Sequence, residues 1–382
     1  MKKKIAIYEI EYHLGFIKTL VQLLDFDQYS ITIFTIKSNI KDIKEYLGKD
    51  FYKVKIVSNK NSVFNLIFNF YKRSNEFDLC FHFSIQTYFL LLPFRYLFFP
   101  KCKTILIAFR VENYLGNIFH TIKEKFSFVD LIKNILFNFF RFLIIKKSNA
   151  VITTGYRDVK ILKSKHSDKK IYEIPFAVNA HKFSYKNNKL LTLGVPGAID
   201  KIRRDYFKIL KLFQSLKKYK KEVKLILIGS YLSNQNYSSK KYDSYFKELM
   251  INIKILKQNG FKIKYFKKKL SQKKYNHLIK KSDIMLTYMK KDVYMDHGWT
   301  SVYTESIEHN KFLMTNRKNS PKNIAYIENN FDDEKNFKRI ILNFKKNKYK
   351  NLKLNYKKII KNFSQDKYRK KMALIIDEVL QK

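Results

Sequence analysis

The sequence is poor in the residues that punctuate a chain. It has nine glycines and five prolines in 382 residues, which excludes collagen-like and Gly/Pro-rich low-complexity architectures. The two cysteines, Cys80 and Cys102, cannot build a disulfide framework and imply a reducing compartment. Acids are scarce too, with 32 Asp and Glu against 78 Lys and Arg and a net charge of +46. No apolar run reads as a membrane span. The stretch 79–100, LCFHFSIQTYFLLLPFRYLFFP, contains His82, Gln86, Pro93 and Arg95, and 128–145, FVDLIKNILFNFFRFLII, is interrupted by Asp130, Lys133 and Arg141. The first is expected to be a buried strand followed by a helix, the second a helix that is buried or docked on a surface. The start MKKKIAIYEI lacks the apolar core of a signal peptide, because Glu9 and Glu11 break it.

What the chain does have is aromatic and apolar mass. Apolar residues are 46% of the sequence and aromatics 16%, which argues for packed cores rather than disorder. The length is too great for one ordinary core, so two domains are expected. Lys, Asn, Ile, Phe and Tyr dominate, the signature of an AT-rich genome, but drift does not explain the deficit of acids. Such a surface attracts polyanions: nucleic acid, an anionic membrane face or phosphorylated substrates. The excess leans C-terminal, roughly +14 over residues 1–180 and about +32 beyond.

Short apolar runs alternate with helical patterns. KIAIYEI, ITIFTI, KVKIVS, LCFHFS, TILIAF and AVITTG are strand-like, with helices expected near Phe16, over 128–147 and from Arg157. A polar break at 176–190 follows Pro175. The pattern then restarts with LLTLGVPG, a helix over 203–219, VKLILIGS, a helix over 241–258, FKIKYFK, a helix over 271–281, DIMLTY, a helix over 302–310 and KFLMTN, before a Lys-rich helical tail over 346–382. Continuous apolar strands alternating with helices define an α/β fold of two Rossmann-like doubly wound domains, expected to face each other across a cleft at their strand C-termini. The boundaries expected are 1–184, 185–365 and a helix over 366–382 that packs back on the first domain.

Several segments resemble GT-B glycosyltransferases of the family 4 type. In Lys170-Ile-Tyr-Glu-Ile-Pro-Phe-Ala-Val-Asn-Ala-His-Lys-Phe183, the residues Ile174, Pro175, Val178 and Phe183 fall in register with the family's domain-boundary segment, while Phe176, Ala177 and Asn179 depart from it. Gly194-Val-Pro-Gly-Ala-Ile-Asp-Lys-Ile-Arg-Arg-Asp205 resembles its first C-domain strand, glycine turn and basic residue. KLILIGS resembles the next strand, and LSQKKYNHLIKKSDIMLTY the helix and strand carrying a family Asp, here Asp283. TESIEHNKFLMTN places Glu305 on the second Glu of the family's paired-Glu motif; His297 stands where the first would be, and Asn310-Lys311-Phe312 replaces a Gly-x-Pro.

The resemblance implies a nucleoside diphosphate sugar as co-substrate, with no cofactor and no metal. Donor binding then falls to Gly197, Arg203, Arg204, Asp296, Gly298, Trp299, Thr300, Ser301 and Glu305. A carboxylate can take two hydrogen bonds from a ribose diol, backbone amides at a helix start can hold a diphosphate, and guanidinium groups add bidentate contacts. Glu305 is also readable as a first-turn acid favoured by the helix dipole, the arginines as a solvated pair, and Trp299 as a packing anchor. His13, Glu11, Glu112 and His297 are the catalytic candidates, and Gly15, His82 and Arg110 the acceptor-binding ones. No Cys/His cluster suggests a metal.

The resulting expectation is a cytoplasmic enzyme, peripheral on the inner face of the membrane, that moves sugar with retention to a glycan or lipid-linked acceptor in cell-envelope synthesis. A GT-B-like epimerase or degenerate binding module stays open because of His297. Specific nucleic-acid binding is not expected: FKKKLSQKK and KNKYKNLKLNYKK are basic, but no zinc-finger, RNP or helix-turn-helix signature accompanies them.

Overall fold

The computed structural model describes residues 2–10, 13–59, 62–83, 91–109, 111, 128–185, 189–199, 201, 204–230, 239–268, 270–290, 300–316 and 322–381. The chain forms two compact units, Met1–Phe176 with Gln365–Lys382, and Ala177–Ser364.

Among the described residues, the sheet of unit 1 has seven strands: β1 (Lys3–Tyr8), β2 (Tyr29–Ile36), β3 (Lys55–Asn59), β4 (Leu79–Phe83), β5 (Lys103–Ala108), β6 (Ala150–Thr153) and β7 (Lys170–Glu173). All pair in parallel, in the order β3-β2-β1-β4-β5-β6-β7. Crossover helices cover both faces of such a sheet, so the central strands lack the alternation of a half-exposed strand; LCFHF of β4 is buried at every position. The connecting helices are α1 (Leu14–Leu23), α2 (Ile40–Leu47), α3 (Val63–Arg73), α4 (Leu91–Leu97), α5 (Phe128–Lys147) and α6 (Tyr156–Lys165). Ser62 starts α3 by accepting from the Phe64 amide at 3.1 Å, satisfying one of the donors that a helix start leaves free.

Among the described residues, unit 2 has six parallel strands: β8 (Leu191–Pro196), β9 (Val223–Ser230), β10 (Lys262–Phe266), β11 (Ile284–Leu286), β12 (Phe312–Thr315) and β13 (Glu328–Asn330), in the order β10-β9-β8-β11-β12-β13. Its helices are α7 (Tyr206–Gln214), α8 (Ser239–Gln258), α9 (Gln272–Lys281), α10 (Ser301–Glu308), α11 (Lys322–Ala325), α12 (Glu334–Lys346) and α13 (Lys348–Phe363). The helix expected over 203–219 is shorter, because Asp205 accepts from the Lys208 amide at 2.9 Å and caps α7 there; a 3₁₀ turn at Lys217–Tyr219 follows it. Leu193, Phe213, Leu225, Ile284 and Phe344 are fully buried together in its core, each contributing about 1.5–3 kcal/mol by leaving water.

The helical tail breaks at Ser364, whose backbone is extended. Beyond it, α14 (Gln365–Leu380) belongs to unit 1. It buries Met372, Ile375 and Ile376, Lys3 meets Asp377 at 2.8 Å, and Lys371 donates to the Glu173 carbonyl at 2.8 Å.

Each sheet changes direction once. In unit 1 the chain winds one way from β1 through β2 to β3, and the other way from β4 to β7, so the reversal lies between β1 and β4. In unit 2 it lies between β8 and β11. The connections diverge there and leave a crevice at the strand C-termini, where open α/β sheets bind ligands. Among the described residues no helix is long and apolar enough to cross a membrane.

Candidate active site

At the reversal of unit 2, the chain leaving β8 makes a tight corner. Gly197 has φ +92°, a conformation that L side chains rarely adopt, and its amide donates to the Ile228 carbonyl at 2.9 Å. The corner presses against the end of β9 so closely that a Cβ on Gly229 would lie 2.0 Å from the Gly197 oxygen. Both positions therefore demand glycine, and the result is bare backbone at the mouth of the crevice. The Tyr206 hydroxyl donates to the Ala198 carbonyl at 3.0 Å and fixes the far side of the turn.

The same mouth holds a buried cation. Arg204 pairs as an isolated bridge with Met289, just beyond β11, and is 8% exposed. Its Nη1 lies 3.4 Å from the Tyr206 hydroxyl. Met289 is clamped from the other side by Asn316, at the end of β12, whose side chain accepts from the Met289 amide at 2.7 Å and donates to its carbonyl at 2.9 Å. Burial, with Asp205 nearby, raises the Tyr288 pKa and keeps its phenol protonated. Gly229, Asn316 and Tyr206 were not singled out from the sequence. Gly229 is next to last in KLILIGS and Asn316 ends KFLMTN, so both carried the signal of a small or polar residue near the close of an apolar strand.

Thr300 and Glu305 stand on α10. Thr300 is its N-cap with extended backbone, yet its hydroxyl caps nothing. The Oγ1 atoms of Thr300 and of Thr287, directly after β11, are buried without a hydrogen-bond partner among the described residues. A buried hydroxyl left without a partner costs about 1–3 kcal/mol, which a bound polar ligand can recover. Glu305 is not in the first turn, which holds no acid, so the dipole does not explain it. It lies one turn further on, 8% exposed, with Oε2 3.5 Å from His309 Nε2. Glu305, Glu308 and His309 bring oxygen or nitrogen atoms within 4.8 Å of one another; this is the group among the described residues that could hold a divalent ion.

In unit 1, His13 and Gly15 follow β1. His13 caps α1 and its ring stacks on Phe109 with centroids 4.5 Å apart. Its Nδ1 lies 3.9 Å from a carboxylate oxygen of fully buried Glu9, an ion-pair distance rather than a hydrogen bond. Gly15 serves packing: a Cβ there would stand 3.3 Å from the Phe176 ring. Phe176 in turn joins Phe16 and Phe109 in an aromatic cluster, at centroid distances of 5.5 and 5.7 Å.

His82 is not at the mouth, which corrects the expectation that it binds an acceptor. It pairs with Tyr8 inside the sheet, is 1% exposed, and lies against Tyr8 and Phe99. Burial, then the neighbouring Arg95 charge, lowers its pKa well below the usual value, so the ring is neutral. In a strand covered on both faces, neither side-chain direction leads out.

Glu11, Arg110, Glu112, Arg203, Asp296, His297, Gly298 and Trp299 lie outside the described residues, as does the side chain of Ser301. Asp283 lies at the opposite edge of the unit 2 sheet, before β11. It accepts from the Thr192 amide at 3.0 Å and pairs with Lys348 at 2.9 Å. A cavity of about 420 Å³ opens at that edge, lined by His181, Asp283, His309 and Lys311 among others. It is at the strand N-termini, away from the crevice, and is not the candidate site, although His309 in its lining is the residue that Glu305 contacts.

No protein-family model matches the chain, and no curated protein matches it by sequence. Solved structures do. A structure of Anabaena HepE with UDP-glucose is 13% identical, with a TM-score of 0.61 over 98% of this chain and 99% of that one. A UDP-forming α,α-trehalose-phosphate synthase from Burkholderia xenovorans is 10% identical, with a TM-score of 0.61 over 99% of each chain. The pneumococcal O-GlcNAc transferase GtfA with UDP and GlcNAc is 15% identical, with a TM-score of 0.55 over 83% of this chain and 60% of that one. The chain has the GT-B fold.

Proposed function

We propose that the protein is a glycosyltransferase that moves a sugar from a nucleoside diphosphate sugar to a glycan or lipid-linked acceptor of the cell envelope. The observation that carries this reading is the mouth of the unit 2 crevice. There a glycine corner of bare backbone, buried Arg204, and two partnerless threonine hydroxyls, one at the start of α10, supply what a diphosphate requires. The leaving diphosphate gains charge as the glycosidic bond breaks, and donors already fixed in a water-poor site stabilise that charge without reorganising. By the sequence resemblance, Arg203, Gly298, Trp299 and Ser301 are assigned to the same donor site, Glu305 to the ribose diol, and Asp296 and His297 to the sugar. The solved structures named above contribute a shared fold, and the UDP-glucose held by HepE and the UDP and GlcNAc held by GtfA make a uridine nucleotide the first donor to try.

Acceptor binding is assigned to unit 1, to His13 after β1 and, from their sequence positions after β1 and β5, to Glu11, Arg110 and Glu112. Retention without a metal is part of the proposal; were the enzyme inverting, His13 with Glu9 behind it is the described group able to take the acceptor proton. The enzyme works on the cytoplasmic face of the membrane, held peripherally. Calorimetry with a panel of nucleoside diphosphates tests the donor assignment. One base binds and Arg204→Ala weakens it; binding of none ends the reading. His297, in place of an acid, favours a second reading as an epimerase or a degenerate binding module. Product analysis with a labelled nucleotide sugar separates epimer, glycoside and no product.

A further inference from the structure

Apolar side chains are expected on any protein surface, but here they are concentrated. Five phenylalanines are exposed among the described residues, between 39% and 55%: Phe64, Phe68, Phe94, Phe139 and Phe142. All five lie on α3, α4 and α5 of unit 1. So do Leu97, Ile135 and Leu136, at 64%, 47% and 40% exposed.

The three helices form one face. Phe64 of α3 meets Phe94 of α4 edge-on at 4.8 Å, and Tyr96 of α4 meets Phe140 of α5 at 6.2 Å. The exposed residues follow helical spacing: Phe64, Phe68 and Lys72 along α3, and Ile135, Phe139, Phe142 and Lys146 along α5. Each helix therefore has a second apolar stripe beside the one it buries. On α5 the inner stripe includes Ile144 and Ile145, both fully buried, so core packing does not account for the outer one.

The charge on these helices is predominantly positive. Helices α3 and α4 contain no acid, and α5 contains Asp130 alone. The next acid after α3 is Glu76, which is held by Arg73 at 2.7 Å. Lysines stand over the rings instead: Lys72 over Phe68 at 4.3 Å, Lys101 over Tyr71 at 4.7 Å and Lys147 over Tyr96 at 3.9 Å. An aromatic surface with ammonium groups at its level matches the boundary of an anionic bilayer, where rings sit among the headgroups and lysines meet phosphates. Two copies of this chain joined by the same face would set lysine against lysine.

We infer that the face formed by α3, α4 and α5 docks on an anionic lipid bilayer, with Phe64, Phe68, Phe94, Phe139 and Phe142 inserted at the headgroup boundary. This gives the peripheral placement proposed above a defined surface, and it rests on that reading only for the choice of a membrane's inner face. Neither bare charge nor bare apolarity suffices, since single weak anchors bind membranes marginally and stable attachment takes two signals.

The test is flotation of the full chain with vesicles of phosphatidylcholine alone and of phosphatidylcholine with phosphatidylglycerol. The chain is expected to float with the anionic vesicles and less well as salt rises. Replacing Phe64, Phe68, Phe139 and Phe142 together with Ser is expected to lower partitioning on the order of a hundredfold in a protein whose circular dichroism shows the fold retained; Leu374→Ser, at an exposed position of α14, leaves partitioning unchanged. Phe139→Trp, which needs no loss of apolar mass, is expected to be quenched by brominated acyl chains beyond the quenching of Trp299. Full flotation of the four-Ser protein, no flotation of the wild type, or a Trp at 139 that lipid does not reach each overturns the inference. So does a dimer in solution that the four-Ser protein fails to form. Uridine diphosphate binding is measured on the same proteins. Its absence with flotation intact would sink the transferase reading alone, and lost flotation of the wild type with nucleotide binding intact would sink the docking surface alone.

Discussion

The two units reverse their sheets in the same way and furnish the reversal differently. Between β1 and β4, the end of the unit 1 sheet is packed with rings: Phe16, Phe109 and Phe176 close around Gly15, and His13 lies stacked on Phe109. Between β8 and β11, the end of the unit 2 sheet is polar: Gly197 and Gly229 expose backbone, Arg204 is buried beside Tyr206, and Asn316 clamps Met289. One topology thus offers two crevices. On the proposed reading, the side chains at the strand ends assign the second to a diphosphate and the first to an acceptor.

The glycines give the sharpest contrast. Gly229→Ala places a Cβ 2.0 Å from a backbone oxygen that cannot move without undoing the corner, and it should cost about 3 kcal/mol or more. Gly15→Ala meets a ring atom at 3.3 Å, and a small shift of Phe176 should limit the loss to about 1 kcal/mol. Chemical denaturation of the two variants, side by side, measures both; equal losses would remove the distinction between a backbone corner and a packed ring. Next in size is Arg204→Ala, expected to weaken nucleoside diphosphate binding about 10- to 100-fold while His13→Ala leaves it unchanged. Titration calorimetry reads this directly. Glu305→Gln is expected to lower donor affinity about tenfold, and chelation of divalent ions to leave it unaltered. A Glu305 effect that appears only when metal is present would instead assign Glu305, Glu308 and His309 to an ion.

The smallest effect is at the far edge of the unit 2 sheet. Burial pulls the Lys311 pKa from 10.5 down to about 8, against the pull of Asp283. The folded chain then binds fewer protons than the unfolded chain between those values, so stability from this group rises as pH climbs through that window. Lys311→Met should therefore stabilise the protein by about 1 kcal/mol at pH 7, and the gain should shrink above pH 8. Thermal melts across pH 7 to about 10 check the sign.

The parallel sheets were legible because a strand covered on both faces is a continuous apolar run: KIAIYEI, TILIAF and VKLILIGS all became strands. β13 was not, since Glu328–Asn330 is a polar edge strand with no such run. Gly197 was legible from its setting in GVPG. Gly229 was not, because its need for glycine comes from a backbone oxygen in another strand connection. His82 misled for a related reason: the end of an apolar run marks where a strand stops, but burial on both faces hides which residues reach the mouth. The Asn316 clamp joins two strand ends 27 residues apart, a pairing that no local pattern announces.

Amide hydrogen exchange with and without uridine diphosphate tests the central claim most directly. Protection confined to the corner around Gly197, the segment after β11 and the start of α10 is the predicted result. Protection at the opposite edge of that sheet, around His181 and Lys311, or no change anywhere, would contradict it.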